Sequence, residues 1–175
     1  MIITVSGLPA CGKSTVAKKL AKHYSLDHKS TGDIFRRIAK EKNMTVRELN
    51  EALEDDPAID FEIDEKTKLL GEMQDDFVMD SRLAFYFIPH SFKVLLKVSA
   101  KEAVKRIEQD EKRSINENIE EEMKKRIESE KKRYKELYGI DYEDESNFDM
   151  VINTDNYSVA EIIDSITKNV DEQIL

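Results

Sequence analysis

The sequence predicts an α/β fold built on a parallel sheet, and three observations lead there. Met1 to Val5 is an apolar, β-branched run too short for a helix and closed by Ser6-Gly7, so it reads as a buried strand. That strand feeds a glycine-containing loop, after which Val16 to His23 follows a helical pattern. Further short apolar runs at 76–80, 92–98 and 149–153 alternate with helical stretches, which is the arrangement of repeated βα units.

The loop carries the chemistry. Gly7-Leu8-Pro9-Ala10-Cys11-Gly12-Lys13-Ser14 fits G-x-x-x-x-G-K-[ST], with Thr15 following, and it lies between a strand and a helix as a P-loop requires. Gly7 and Gly12 permit backbone conformations closed to other residues, so several N–H groups can turn inward around a phosphate. The helix that follows adds its uncapped N–H groups and the positive end of its dipole. Lys13 supplies charge for the β- and γ-phosphates of a nucleotide, and the Ser14 hydroxyl is placed to ligate Mg²⁺.

Composition narrows the remaining classes. A chain of 175 residues is one domain with insertions, large enough for a sizeable core. A net charge of −9 and a pI near 5.0 argue against a nucleic-acid partner. No run is long enough to span a bilayer and no charged region precedes the first apolar run, so no membrane partner and a cytoplasmic location are expected. Cys11 is the only cysteine, which excludes an intrachain disulfide, and reads as a small loop filler. His23, His28 and His90 have no metal-ligand spacing and read as surface or loop residues.

The middle of the chain follows in order. Leu26 to Lys29 reads as a second strand, with Asp33 as the N-cap of a helix carrying Ile34, Phe35, Ile38 and Ala39. Another helix runs from Thr45 to Leu53, a break falls at Asp55-Asp56-Pro57, and a third helix carries Ile59, Phe61, Ile63 and Leu69-Leu70. With no strand between about 34 and 72, this stretch reads as an all-helical lobe able to close on a second substrate. Asp80 ends the next strand at the face where α/β sheets bind ligands; it is placed to hold a water on Mg²⁺ or, alternatively, to cap a turn. Ala100 to Tyr138 is charged and helical, interrupted near Ser114 to Asn118. Within it Arg126 and Arg133 lie seven apart, nearly two helical turns, and so share a face; Arg106 and Arg113 repeat the spacing. A last strand at 149–153 and an amphipathic helix with Val159, Ile162, Ile163, Ile166 and Val170 on one stripe close the chain.

Taken together, the residues GLPACGKST at 7–15, STGDIFR at 30–36, PAIDFEIDE at 57–65, SRLA at 81–84 and RIESEKKRYKELYGID at 126–141 resemble the nucleoside monophosphate kinases, and within them the archaeal-type cytidylate kinases. The chain departs from that pattern at Asp110 and Ser81, where the family often has Arg and Gly. The resemblance implies a three-layer α/β/α P-loop domain over 1–175 with a parallel five-stranded sheet in the order 2-3-1-4-5. It also implies a helical monophosphate-binding insertion at about 34–72 and a lid at about 108–130.

The implied activity is transfer of the γ-phosphoryl group of ATP, with Mg²⁺, to CMP or dCMP by a monomeric enzyme. Lys13 and Ser14 would serve the donor, Arg36 and Arg82 resemble the grip on the acceptor's phosphate, and Arg126 and Arg133 would arrive from the lid. Phosphoryl transfer asks for such positive charge more than for covalent chemistry. Asp60, Glu62 and Asp64 are candidates to accept a hydrogen bond from the cytosine amino group, or else are caps and solvated charges. An adenylate kinase or another small-metabolite P-loop kinase is the alternative enzyme. A non-catalytic ATP-binding switch or assembly factor is the alternative of another class, disfavoured because a switch has no need of four converging arginines.

Overall fold

The computed structural model describes residues 1–109 and 119–174. Its elements, in order, are β1 (Ile2–Gly7), α1 (Lys13–Tyr24), β2 (Asp27–Ser30), α2 (Thr31–Glu41), α3 (Val46–Asp55), α4 (Pro57–Met73) and β3 (Phe77–Asp80). Then come α5 (Ala84–Phe87), β4 (Phe92–Lys97), α6 (Ala100–Glu108), α7 (Ile119–Tyr138), a 3₁₀ turn at Glu145–Asn147, β5 (Met150–Asn153) and α8 (Val159–Ile174). The five strands form one sheet in the order β2-β3-β1-β4-β5, every pairing parallel. Among the described residues no helix is long and apolar enough to cross a membrane.

The alternation of β1 decides the two cores. Ile3 and Val5 face the side covered by α1 and α8, where Leu20, Val94, Leu96 and Ile166 pack against them. Ile2 faces the other side, with Phe77 and Met79 of β3, under Ile38, Leu49, Ile59 and Ile63 of the helices between β2 and β3. Thr4 shares that second face and would be an uncompensated polar group there; its hydroxyl is instead bonded to that of Ser91 at 3.0 Å. Strand β1 continues two residues beyond the expected Val5 because Ser6 and Gly7 pair with Leu95 and Leu96 of β4. The strand therefore delivers the glycine loop at the sheet's C-terminal edge.

From 31 to 73 the chain is helical and contains no strand. The expected cap of its first helix is corrected: Ser30, not Asp33, is the N-cap of α2, its hydroxyl accepting from the Gly32 N–H at 3.1 Å. Asp33 lies in the first turn, where its charge still favours the helix dipole. Thr45 and Glu48 form a reciprocal capping box on α3, and Asp56 caps α4 with Pro57 at its first position. Two short elements escaped the sequence reading, α5 and the 3₁₀ turn, both too brief to show a period. The expected interruption near Ser114 to Asn118, together with Asp110, Arg113 and part of the 108–130 stretch, lies outside the described residues.

Candidate active site

The loop from Gly7 to Gly12 shows why its glycines are needed. Gly7 has φ 145°, and a Cβ there would fall 2.2 Å from the Leu96 carbonyl oxygen and 2.7 Å from Cys11 Sγ. Gly12, at φ 92°, is the N-cap of α1 and offers no side-chain cap, so the first N–H groups of the helix are left for an anion. Leu8 packs on the Leu83, Phe85 and Tyr142 cluster, Ala10 packs beside α6 and α7, and buried Cys11 fills the loop's interior as expected. Ser14 and Thr15 are exposed on the first turn of α1.

Lys13 folds back over this loop. Its ammonium donates to the carbonyls of Gly7 at 2.7 Å and Leu8 at 3.0 Å. Burial pushes its pKa down from 10.5 to about 8, with the positive charge of Arg82 acting in the same direction. The negative charge of a phosphate in the loop would oppose both effects.

Beside the loop opens a cavity of about 840 Å³, walled by the C-terminal end of the sheet, α2, α4 and α7. Lys13, Arg36, Arg82, Arg126 and Arg133, drawn from four separate segments of the chain, all line it. Arg36 is held at 2.6 Å by Asp33 one turn earlier, both largely exposed. Asp80 is buried at the end of β3 on the same wall, its Oδ2 3.3 Å from His28 Nε2. His28, expected at the surface or in a loop, is instead a half-buried residue of β2. At Ser81 the hydroxyl accepts from the N–H groups of Leu83 and Ala84, just ahead of and at the first residue of α5.

The far end of the cavity is acidic. Asp60 and Asp64 lie one turn apart on α4 and line the cavity, whereas Glu62 points to the opposite face, bound to Lys42 at 3.2 Å and Lys66 at 3.3 Å. The structure thus removes Glu62 from the base-reading candidates. Arg133 Nε lies 2.8 Å from Asp60 Oδ2, close enough for an ion pair but not aligned as a hydrogen bond, and neither buried atom has another partner. Burial pushes Asp60 above the usual carboxylate range, opposed by the Arg133 charge. Asp64 is pushed up to about 6 by burial and by its neighbour Asp60, although it accepts a 2.5 Å hydrogen bond from the Tyr138 hydroxyl.

One functional-site residue went unassigned by the sequence reading. Glu130, buried in α7, receives Arg82 through Nε and Nη2 and Arg126 through Nε at 2.9 Å. Burial would raise its pKa, but Arg82 and Arg126 outweigh it and hold the carboxyl below its ordinary range. Nothing in so charged a helix separates this glutamate from its solvated neighbours; only its i, i+4 position from Arg126 hints at the pairing. Arg106 also finds a place, donating to the carbonyls of Ala10 at 3.3 Å and Thr154 at 2.8 Å and so tying α6 to the glycine loop.

A glycine-loop anion site and a cation-lined cavity at the C-terminal edge of a parallel sheet define an α/β P-loop kinase. Solved structures carry the same fold: shikimate kinase from Bacteroides thetaiotaomicron superimposes with a TM-score of 0.73 over 98% of both chains at 13% identity. Shikimate kinase from Aquifex aeolicus does so with a TM-score of 0.68 over 100% of this chain and 99% of its own, at 17% identity. Residues 2–156 match the model of the cytidylate kinase-like family, to which the chain belongs. It is 37% identical to the cytidylate kinase of Methanococcoides burtonii over 98% of this chain and 97% of that one, and 39% identical to the cytidylate kinase of Halorubrum lacusprofundi over 98% and 90%.

Proposed function

We propose that the cavity is where CMP meets ATP, in a chain that transfers the γ-phosphoryl group of ATP to CMP and releases CDP and ADP. The observation that carries this reading is the convergence of Lys13, Arg36, Arg82, Arg126 and Arg133 on one cavity beside the glycine loop. Two phosphates of like charge must be brought together, and the transferring group spreads charge over its oxygens, so a ring of fixed cations is the catalyst.

The donor's phosphates sit in the loop from Gly7 to Thr15, under Lys13. Arg36 and Arg82 grip the acceptor's phosphate, and Arg126 and Arg133 complete the cage from α7. Residues 34–72 act as the acceptor-binding insertion and 108–130 as the lid of this single domain, closing to exclude water so that ATP is not merely hydrolysed.

Asp60 and Asp64 face the base, where a carboxylate can accept from the cytosine amino group, and dCMP is a second acceptor. The residues present also fit Mg²⁺. An exposed hydroxyl on α1 and the buried Asp80 suit an ion that keeps waters and phosphate oxygens as most of its ligands. Ser14 would hold it directly and Asp80 through a water, and the ion would supply positive charge to the donor's phosphates. The reading takes the enzyme to be a monomer of the cytoplasm.

The test is an ADP-release assay with CMP, dCMP, UMP, AMP and GMP as acceptors. CMP and dCMP are expected to turn over at least about tenfold faster, in kcat/KM, than the others, the factor that one hydrogen bond with a net worth of about 1.4 kcal/mol supplies. Faster turnover of AMP would make the chain an adenylate kinase, and ATP binding without turnover of any acceptor would make it a switch.

A further inference from the structure

The Arg82 guanidinium is held by two fixed partners, the Glu130 carboxylate and the Gly7 carbonyl. It carries five N–H donors in a rigid plane. Three are used: Nε and Nη2 both reach the Glu130 carboxylate, the latter at 3.2 Å, and Nη1 donates to the Gly7 carbonyl at 3.0 Å. One N–H is left on each terminal nitrogen, the pair whose spacing matches two oxygens of a phosphate. The same carboxylate holds Arg126 at Nε. Glu130 and Arg82 are both nearly excluded from solvent, and their charges sustain one another.

We propose that Glu130 is a positioning residue for phosphoryl transfer: from α7 it fixes the orientation of Arg82 at the end of β3, so that the outer edge of the Arg82 guanidinium is presented to the acceptor's phosphate. The proposal rests on the reading of Arg82 as part of the acceptor grip. Stability alone is a weak reason for such a group, because a buried ion pair gains little over well-packed apolar residues of the same volume. Orientation is a strong reason, since a small misplacement of a charge-bearing donor costs rate out of proportion to binding. Glu130 also joins α7 to a residue 48 positions earlier, which itself touches the loop that Lys13 covers. Donor loop, acceptor arginine and α7 are therefore held in one chain of contacts.

The test uses the full chain with Glu130→Gln, Glu130→Asp, Arg82→Ala and the double variant Arg82→Ala/Glu130→Gln, measuring ADP release with CMP and ATP varied in turn, and melting temperature. Glu130→Gln is expected to lower kcat with CMP at least about tenfold while the KM for ATP stays within about twofold of wild type. Glu130→Asp keeps the charge but is one methylene short, and it is expected to lose rate in the same direction with little change in melting temperature, which keeps the test alive should Glu130→Gln fold poorly. The double variant is expected to be no more than about twofold slower than Arg82→Ala, because Glu130 acts largely through that arginine. Wild-type kinetics in Glu130→Asp, or losses that multiply in the double variant, would overturn the proposal. Impaired Arg82→Ala beside a normal Glu130→Asp would overturn it while leaving the acceptor grip intact; a fully active Arg82→Ala would overturn the grip and the proposal together.

Discussion

Replacing Lys13 by Met should stabilise the protein while abolishing transfer. The ammonium is buried, and its pKa falls from 10.5 to about 8. At about 1.4 kcal/mol per pKa unit, keeping that charge costs about 3 kcal/mol at pH 7. Met keeps the stem and removes the charge. It also removes hydrogen bonds to Gly7 and Leu8 and a weaker 3.8 Å bond to Cys11 Sγ. Neither carbonyl is orphaned, because Gly7 still accepts from Arg82 at 3.0 Å and Leu8 from the Cys11 N–H at 3.4 Å. Allowing about 1 kcal/mol for the lost bonds leaves a gain of about 2 kcal/mol, or about 4–8 °C in melting temperature for a chain of this size.

The sign with pH follows from the lowered value. Between about 8 and 10.5 the unfolded chain binds more protons than the folded one, so wild-type stability rises through that window and the penalty is full below it. Thermal melts at pH 7 and at about pH 9.5 read this directly, and the advantage of Lys13→Met should fall to less than half at the higher pH. ATP should raise the melting temperature of wild type and not of the variant. A variant less stable than wild type at pH 7, an advantage independent of pH, or retained turnover would refute the reasoning.

Three other substitutions follow from the cavity. Arg36→Ala should raise the KM for CMP and also lower kcat, because a misplaced attacking oxygen loses orientation as well as binding; steady-state kinetics should find the KM for ATP nearly unchanged. Arg126→Ala should lower kcat at least about 100-fold with a melting temperature close to wild type, since this side chain is 61% exposed. Arg133→Ala, by contrast, strands the buried Asp60 carboxylate and should cost both rate and several degrees of melting temperature. Asp64→Asn tests the raised carboxylate: the stability Asp64 contributes is present below its ordinary pKa of 3.8 and lost as pH rises through about 6. Urea melts should therefore show the variant gaining about 2 kcal/mol on wild type between pH 4 and pH 7.5, and an equal difference at both pH values would contradict the burial argument.

Strands and loop were legible because their signals are local. A β-branched run closed by Ser6-Gly7 and followed by Gly12-Lys13-Ser14 names its own conformation, and capping pairs such as Thr45 with Glu48 announce helix starts. Ser30 and Asp33 are both good caps three residues apart, and only the backbone decides between them. Cations on the cavity wall were legible through motif and helical spacing. Their counter-ions were not: Glu130 and Asp60 are chemically similar to Glu62, all acids on charged helices, and what separates them is which face turns inward. His28 was misread for the same reason, since its strand is short and polar and is buried only by its neighbours.

The most direct measurement is a crystal structure of the protein with CMP and a non-hydrolysable ATP analogue bound together. The expected result has the analogue's β- and γ-phosphates in the loop from Gly7 to Thr15 with Lys13 swung off the Gly7 and Leu8 carbonyls. The CMP phosphate should meet Arg36 and the outer edge of Arg82, and the cytosine should lie against Asp60 and Asp64. A CMP phosphate bound away from both arginines, or a base directed out of the cavity, would contradict the account.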